Sequence, residues 1–177
     1  MTREEFGLIV KGLKAIYADP KYIADQFAFD TWYSLLKDIP YQVASMAVQS
    51  YLQTEKFPPT PADIRKYAAK ITETKEDSMS ELEAWSLVRK AISNGNYGAE
   101  KEFEKLPPVI QDAIGSPAWI REMASVDLDE LETVGQSHFV RNYRISADRH
   151  KSNRQLNEGL RTAISEIKQG PLLGVEG

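Results

Sequence analysis

The sequence predicts an all-α protein, and three observations support this. Apolar residues recur at spacings of three and four along most of the 177 residues, which is the pattern of one face of an α-helix. Residues that can cap a helix precede several of these segments. No segment shows the alternation of apolar and polar residues that indicates a β-strand. We expect an N-terminal four-helix bundle and a smaller C-terminal helical unit with a long terminal helix.

Residues 1–71 predict four short amphipathic helices that close into the bundle. Thr2 and Glu5 form a capping box for the first helix, and the second helix is expected from about Asp25 to Lys37. Pro40 opens the third helix, because the first helical turn needs no backbone donor. The expected apolar stripe of the third helix is Val43, Met46, Ala47 and Tyr51.

Prolines separate the third helix from the fourth. The segment Phe57-Pro58-Pro59 stops the third helix, since each proline favours extended geometry in the residue before it. Thr60 is expected to cap the fourth helix, with Pro61 at its first position and Asp63 near its positive end.

A polar linker and a second helical unit follow the bundle. Residues 72–80, TETKEDSMS, have almost no apolar content and predict the linker. Residues 81–135 predict short helices, with a stop and turn at residues 94–98 and another stop at Gly115. Ser80 or Ser78 caps the first of these helices. Its expected stripe is Leu82, Trp85, Val88, Ala91 and Ile92.

Residues 136–177 predict a long helix and a flexible tail. The segment SADRHKSNRQ is polar between two apolar ends, so we expect this helix to project or to become ordered only on binding a partner. Arginine and aromatic side chains, the types preferred at interaction hot spots, cluster along it. Alternatively, the bases form a solvated surface and the aromatic residues are core anchors. The candidate contact residues are Phe139, Arg141, Tyr143, Arg144, Arg149 and Arg154.

The charge of −4 is unevenly distributed. Lys and Arg number nine against eight Asp and Glu in residues 1–71, six against fourteen in 72–136, and seven against four in 137–177. A protein that coats DNA would show a basic face throughout. The asymmetry therefore favours protein partners, with direct nucleic-acid contact weak or absent.

No motif of a common enzyme, cofactor or metal site is present. The sequence lacks the G-x-x-x-x-G-K-[ST] phosphate loop, the G-x-G-x-x-G and G-x-S-x-G motifs and H-E-x-x-H. His138 and His150 lie off one helical face and have no companion ligands. Asp127 and Asp129 are interpreted as residues of a helix start, because Glu132 stands where a calcium loop needs glycine. Cysteine is absent, which removes thiolate and zinc–cysteine chemistry.

The chain also lacks the features of a membrane or exported protein. A charged share of 27% and the absence of a run of about eighteen apolar residues predict a soluble protein with no membrane contact. The start, MTREEF, does not have the pattern of a signal peptide. These features fit the cytoplasm.

Short motifs follow one another in a specific order over residues 2–150. In the N-terminal part they are TREEF at 2–6, WY at 32–33, DIPY at 38–41, VA at 43–44 and FPPTPADIR at 57–65. In the C-terminal part they are EAW at 83–85, NYG at 96–98, LPPV at 106–109, Gly115, Trp119 and FVRNY at 139–143. In this order and spacing the chain resembles the phage replicative helicase loader and inhibitor family. The acidic segment 127–135 and the extension 156–177 depart from the family pattern.

This resemblance implies a protein of the host bacterial cytoplasm that binds a hexameric DnaB-type helicase, keeps it inactive and loads it onto origin DNA without its own ATPase. The phage initiator and single-strand-binding protein are further implied partners. The C-terminal part of the family engages the helicase, so the six candidate residues are expected at that contact. The alternative is a helix-turn-helix-like DNA-binding regulator. Its recognition helix would have only three basic residues, Arg65, Lys66 and Lys70, which are few for binding a DNA groove. An assembly protein without a role in replication is a third possibility.

Overall fold

The computed structural model describes residues 1–169, which form helices and turns with no β-strand. The predicted all-α class is confirmed. The described chain divides into two compact units: unit 1 comprises residues 1–72 and 153–169, and unit 2 comprises Glu73–Ser152. Within the described range no helix combines the length and the apolar character that a membrane span requires. The predicted flexible tail, residues 170–177, lies outside the described residues.

Unit 1 opens with α1 (Arg3–Ile16), α2 (Gln26–Leu36), α3 (Tyr41–Thr54) and α4 (Pro61–Ile71). The predicted capping box at α1 is confirmed, because the Glu5 N–H donates to Thr2 Oγ1 at 3.2 Å and the Thr2 N–H donates to Glu5 Oε2 at 2.7 Å. Thr60 and Asp63 make the same reciprocal pair at α4, at 3.3 and 2.9 Å. These caps satisfy backbone donors that helix starts leave without partners.

The core of unit 1 is aromatic and aliphatic. Phe6 is completely buried, and its ring centroid lies 4.9 Å from that of Phe29 and 5.9 Å from that of Tyr33. The predicted stripe of α3 needs a correction, since Met46 is exposed and Val43 is only half-buried. The buried face is instead Ala44, Ala47, Val48 and Tyr51, whose spacing is that of one helical face.

Among its described residues, unit 2 contains five helices, one π-helical turn and most of a sixth helix. They are α5 (Glu81–Ser93), α6 (Gly95–Glu104), α7 (Pro108–Ile114), α8 (Pro117–Met123), α9 (Leu128–Glu130), the π-helical turn (Leu131–Gly135) and α10 (Gln136–Gln155). Ser80, one of the two serines predicted to cap α5, accepts a hydrogen bond from the Glu83 N–H at 3.3 Å. Trp85, Val88, Ile110 and Ile120 are buried together in the core of this unit. Leu82, predicted on the α5 stripe, is exposed.

The turn predicted at residues 94–98 is wrong in its form. α6 begins directly at Gly95, and the break from helical geometry comes at Gly98, with φ −138°. Gly95 is buried, and a Cβ placed there would lie 2.8 Å from Ile120 Cγ2 and 3.2 Å from the Ile120 carbonyl oxygen. Glycine at this position therefore permits the close approach of α8, a packing role that local sequence does not distinguish from a turn signal.

The predicted terminal segment 136–177 is divided between the two units. α10 ends at Gln155, and α11 (Glu158–Gln169) follows after a break at Leu156 and Asn157. Residues up to Ser152 group with unit 2, whereas the described residues from Asn153 to Gln169 group with unit 1. Residues 73–80 lie in unit 2 as turns and extended chain, without a helix. The units thus differ in their bounds from the four predicted segments.

Candidate interaction surface

One side of α10 packs into the core of unit 2. Phe139 and Tyr143 are 1% and 3% exposed, their rings stack at a centroid distance of 5.6 Å, and the Trp85 ring lies 5.5 Å from that of Phe139. The Tyr143 hydroxyl donates to the Met79 carbonyl oxygen at 2.9 Å. The expectation that this helix projects is therefore wrong for its first half. Its buried side continues to Ser146. Because serine is polar, the sequence pattern does not indicate that this position faces a core.

Arg144 lies at the edge of this packing, in contact with the first turn of α5. Its Nε and Nη2 both donate to the Glu81 carboxylate, with Nη2 at 2.9 Å from Oε2. The hydrogen bonds and the charge of Arg144 hold the pKa of the Glu81 carboxyl below its usual value. Exposed ion pairs contribute little to stability, so this contact positions the arginine more than it stabilises unit 2.

Burial also decides the chemistry of Tyr143. Removal from water raises the pKa of its phenol, and the neighbouring carboxylates Glu83 and Glu81 raise it further. The hydroxyl therefore remains protonated and acts as a donor to the backbone. Tyr143 is a structural anchor of α10 in this structure.

The opposite side of α10 is open to solvent. Arg141, Ile145 and Arg149 lie one turn apart on one exposed face, with His138 close to its start. We call these four residues the α10 outer face. Arg141 and Arg149 are separated by about 12 Å along the helix axis, and Ile145, 54% exposed, lies between them. An apolar side chain flanked by arginines has the composition that interaction hot spots prefer.

Sequence reasoning missed Ile145, because it adjoins a stretch whose pattern is polar. The available signal was its position four residues from both Arg141 and Arg149. Tyr97 was also missed as a surface residue, since its motif has the composition of a turn. Its side chain is fully exposed in α6.

The structure does not bring the six predicted contact residues onto one surface. Phe139 and Tyr143 are in the core, Arg144 is paired with Glu81, and Arg141 and Arg149 are exposed. Arg154 groups with unit 1, where its Nη2 donates to the Ala69 carbonyl oxygen in α4 at 3.0 Å.

Unit 1 contains a polar cluster built on a bidentate ion pair. Arg65 Nη1 and Nη2 each lie 2.8 Å from one carboxylate oxygen of Asp38, and the two side chains are only 11% and 15% exposed. Arg65 donates further to the carbonyl oxygens of Leu35 at 2.7 Å and Gln155 at 2.5 Å. Asp38 Oδ2 also accepts the Glu158 N–H at 3.2 Å. The pair thus has backbone partners on α2 and around the break between α10 and α11.

The charge balance of this pair is favourable at neutral pH. Burial raises the pKa of the Asp38 carboxyl, but the hydrogen bonds and the charge of Arg65 outweigh that effect, so the pKa lies below its usual value. Asp38 is therefore ionised. Because Arg65 is engaged by this carboxylate, it is withdrawn from the exposed surface of α4, where a recognition helix would need it.

The histidines and acidic residues considered in the sequence have local roles. His150 Nε2 lies 2.6 Å from Asp112 Oδ2, and the Asp129 N–H donates to Asp127 Oδ1 at 2.9 Å at the start of α9. The interpretation of Asp127 as a residue of a helix start is confirmed. Among residues 1–169 no three His, Asp or Glu side chains are grouped so that they could hold a metal ion.

The N-terminal part of the chain matches a known domain family. Residues 1–65 match the family model for the N-terminal domain of a phage helicase loader and inhibitor. The family resemblance is confirmed over this range. No curated protein and no solved structure gives a significant match. The match covers α1, α2 and α3 and includes the first five residues of α4.

The matched range includes the features that build unit 1. Phe6 lies in its core, the two capping boxes lie at its helix starts, and the match ends at Arg65, so it contains both partners of the ion pair with Asp38. The motifs of the loader N-terminal domain in this chain are therefore largely architectural. α10 and its outer face lie beyond the matched residues.

Proposed function

We propose that this protein binds a hexameric DnaB-type replicative helicase, holds it inactive and loads it onto origin DNA without an ATPase of its own. The match of residues 1–65 to the N-terminal domain of the phage helicase loader and inhibitor carries this proposal. The action takes place in the cytoplasm of the infected cell. The phage initiator and the single-strand-binding protein are the further partners that deliver the loaded complex.

The helicase contact is assigned to the α10 outer face. This face is exposed, combines two arginines with an apolar residue, and lies in the C-terminal part of the chain, where the family engages its helicase. Phe139 and Tyr143 support the contact from inside by fixing the orientation of α10. Arg144 flanks it, and Arg154 is not part of it.

A loader of this kind works by binding energy alone. A closed ring helicase must open at a subunit interface before single-stranded DNA can enter. A protein that binds the open form more tightly than the closed form shifts the population toward opening. Several copies on one ring act together, because each bound copy raises the effective concentration of the next contact.

Arg141→Glu is expected to weaken binding to the cognate helicase by about tenfold or more, since a charge reversal in an interaction surface removes an attractive contact and adds a repulsive one. Titration of fluorescently labelled helicase with the wild type and the variant measures this change. Lys11→Glu, an exposed change on α1, is the matched control and is expected to leave the affinity unchanged. Equal affinity for Arg141→Glu and wild type would show that the α10 outer face is not the contact.

An unwinding assay over the same protein concentrations tests the proposed inhibition of the helicase. Wild-type protein is expected to slow unwinding of a forked DNA by the helicase in proportion to the fraction of helicase bound. Arg141→Glu should restore unwinding at equal protein concentration. Binding without any effect on unwinding would contradict the inhibitory part of the proposal.

The DNA-binding regulator is the weaker candidate. Its recognition helix would be α4. Arg65 is paired with Asp38, so the exposed basic residues that remain on this helix are Lys66 and Lys70. Specific DNA binders need several phosphate contacts and a set of side chains that reach base edges. Tight, salt-sensitive binding of the full chain to duplex DNA would favour the regulator over the loader.

A further inference from the structure

The break between α10 and α11 exposes two backbone groups, and one ion pair binds both. A helix leaves carbonyl oxygens without partners at its end and N–H groups without partners at its start. Here the Gln155 carbonyl oxygen accepts from Arg65 Nε at 2.5 Å, and the Glu158 N–H donates to Asp38 Oδ2 at 3.2 Å. The bidentate pair that joins Asp38 and Arg65 therefore recognises the end of one helix and the start of the next.

The α11 helix has little burial of its own. Leu160 and Ile167 are exposed and Ile164 is half-buried, although these three residues form one apolar stripe at helical spacing. Among residues 1–167, whose side chains the structure describes, the buried core of unit 1 includes no side chain of α11. Asn157 caps the helix locally, because its Oδ1 accepts the Leu160 N–H at 2.8 Å. Polar contacts at its first residue therefore contribute to the attachment of α11 to unit 1.

We propose that the Asp38–Arg65 pair is a latch site for the C-terminal segment of its own chain, which holds α11 on unit 1 in the free protein and releases it without loss of the ion pair. Release breaks the hydrogen bonds to Gln155 and Glu158, while both bonds between the carboxylate and the guanidinium remain. Arg154, bonded to the Ala69 carbonyl oxygen, strengthens the same attachment.

The proline variant Glu158→Pro tests the latch without a change in the core of unit 1. Proline removes the N–H that donates a hydrogen bond to Asp38. Glu158 occupies the first position of α11, where proline is well tolerated. Glu158→Ala is the matched control, because it removes the same side chain and keeps the N–H. The measurement is amide hydrogen exchange of the full chain, compared between peptides from α11 and peptides from α3.

The expected result is that amides of α11 exchange about tenfold faster in Glu158→Pro than in wild type, whereas those of α3 do not change. Glu158→Ala should exchange like wild type in both helices. Equal exchange of α11 in the proline variant and the alanine variant would overturn the latch. Complete absence of protection in α11 of the wild type would also overturn it.

A second pair of variants approaches the latch from the side of the carboxylate. Asp38→Ala removes the acceptor and is expected to accelerate exchange of α11 at least as much as Glu158→Pro. Asp30→Ala is its control, since Asp30 forms an exposed pair with Arg3 in the same unit. If Asp38→Ala accelerates α3 and α11 by the same factor while Glu158→Pro changes neither, the pair is a core element only and the latch is wrong. This test concerns the free chain, so its outcome does not depend on helicase binding.

Discussion

Phe139→Ala is expected to lower the free energy of unfolding of unit 2 by about 3–5 kcal/mol, the usual loss for a buried phenylalanine. The Phe139 ring is buried between those of Trp85 and Tyr143, so its removal leaves a cavity and breaks two aromatic contacts. Chemical denaturation, with amide exchange of peptides from α5 as the reporter of unit 2, measures the loss. Helicase affinity should fall only as far as unit 2 unfolds.

Tyr97→Ala is the control for this change, since it also removes an aromatic ring from unit 2. The Tyr97 side chain is fully exposed in α6, and its loss is expected to change stability by less than about 0.5 kcal/mol. Equal stability of Phe139→Ala and Tyr97→Ala would show that α10 does not pack into unit 2. A large loss of helicase affinity in a fully folded Phe139→Ala protein would instead return this residue to the contact surface.

Phe6→Ala is expected to destabilise unit 1 by a similar amount, about 3–5 kcal/mol. Its side chain is completely buried and packs against Phe29 and Tyr33. Amide exchange in peptides from α3, followed through a denaturant series, measures the loss in unit 1. Phe27→Ala on α2 is the matched control, because that ring is 81% exposed. If the two variants unfold at the same denaturant concentration, the assigned core of unit 1 is incorrect.

The helix starts could be predicted because their signals are local. Thr2 with Glu5, and Thr60 with Asp63, are three residues apart and satisfy each other's backbone donors. A pattern of this kind needs no knowledge of the rest of the chain. The same holds for the end of α7 at Gly115, where φ is +78° and a side chain is disfavoured.

The packing of α10 could not be derived in that way. Its buried side combines Phe139 and Tyr143 with the small polar Ser146, so the apolar periodicity fades after one turn. The sequence pattern alone therefore indicates a helix with no side facing a core. In the structure that side packs against residues distant in the sequence, such as Trp85 and Met79. Tertiary contacts decided the outcome where local periodicity was weak.

The Asp38–Arg65 pair illustrates the same limit for the candidate sites. The two residues are separated by 27 positions, and their further partners Gln155 and Glu158 are 90 and 120 positions away from Arg65 and Asp38 respectively. The sequence pattern places Arg65 among the basic residues of a recognition helix. Its positive charge is evident from the sequence, whereas its pairing with the Asp38 carboxylate is not. By contrast, Arg141 and Arg149 are exposed, and their role in a contact stays a prediction.

Helicase binding can be tested directly by measuring the mass of the complex. The purified 177-residue chain is mixed at micromolar concentrations with its cognate DnaB-type helicase, and the mass of the species in solution is measured by light scattering after gel filtration. We expect a complex heavier than the helicase hexamer by one or more copies of the 20.0 kDa chain. Separate elution of the two proteins at their individual masses would contradict the proposed function.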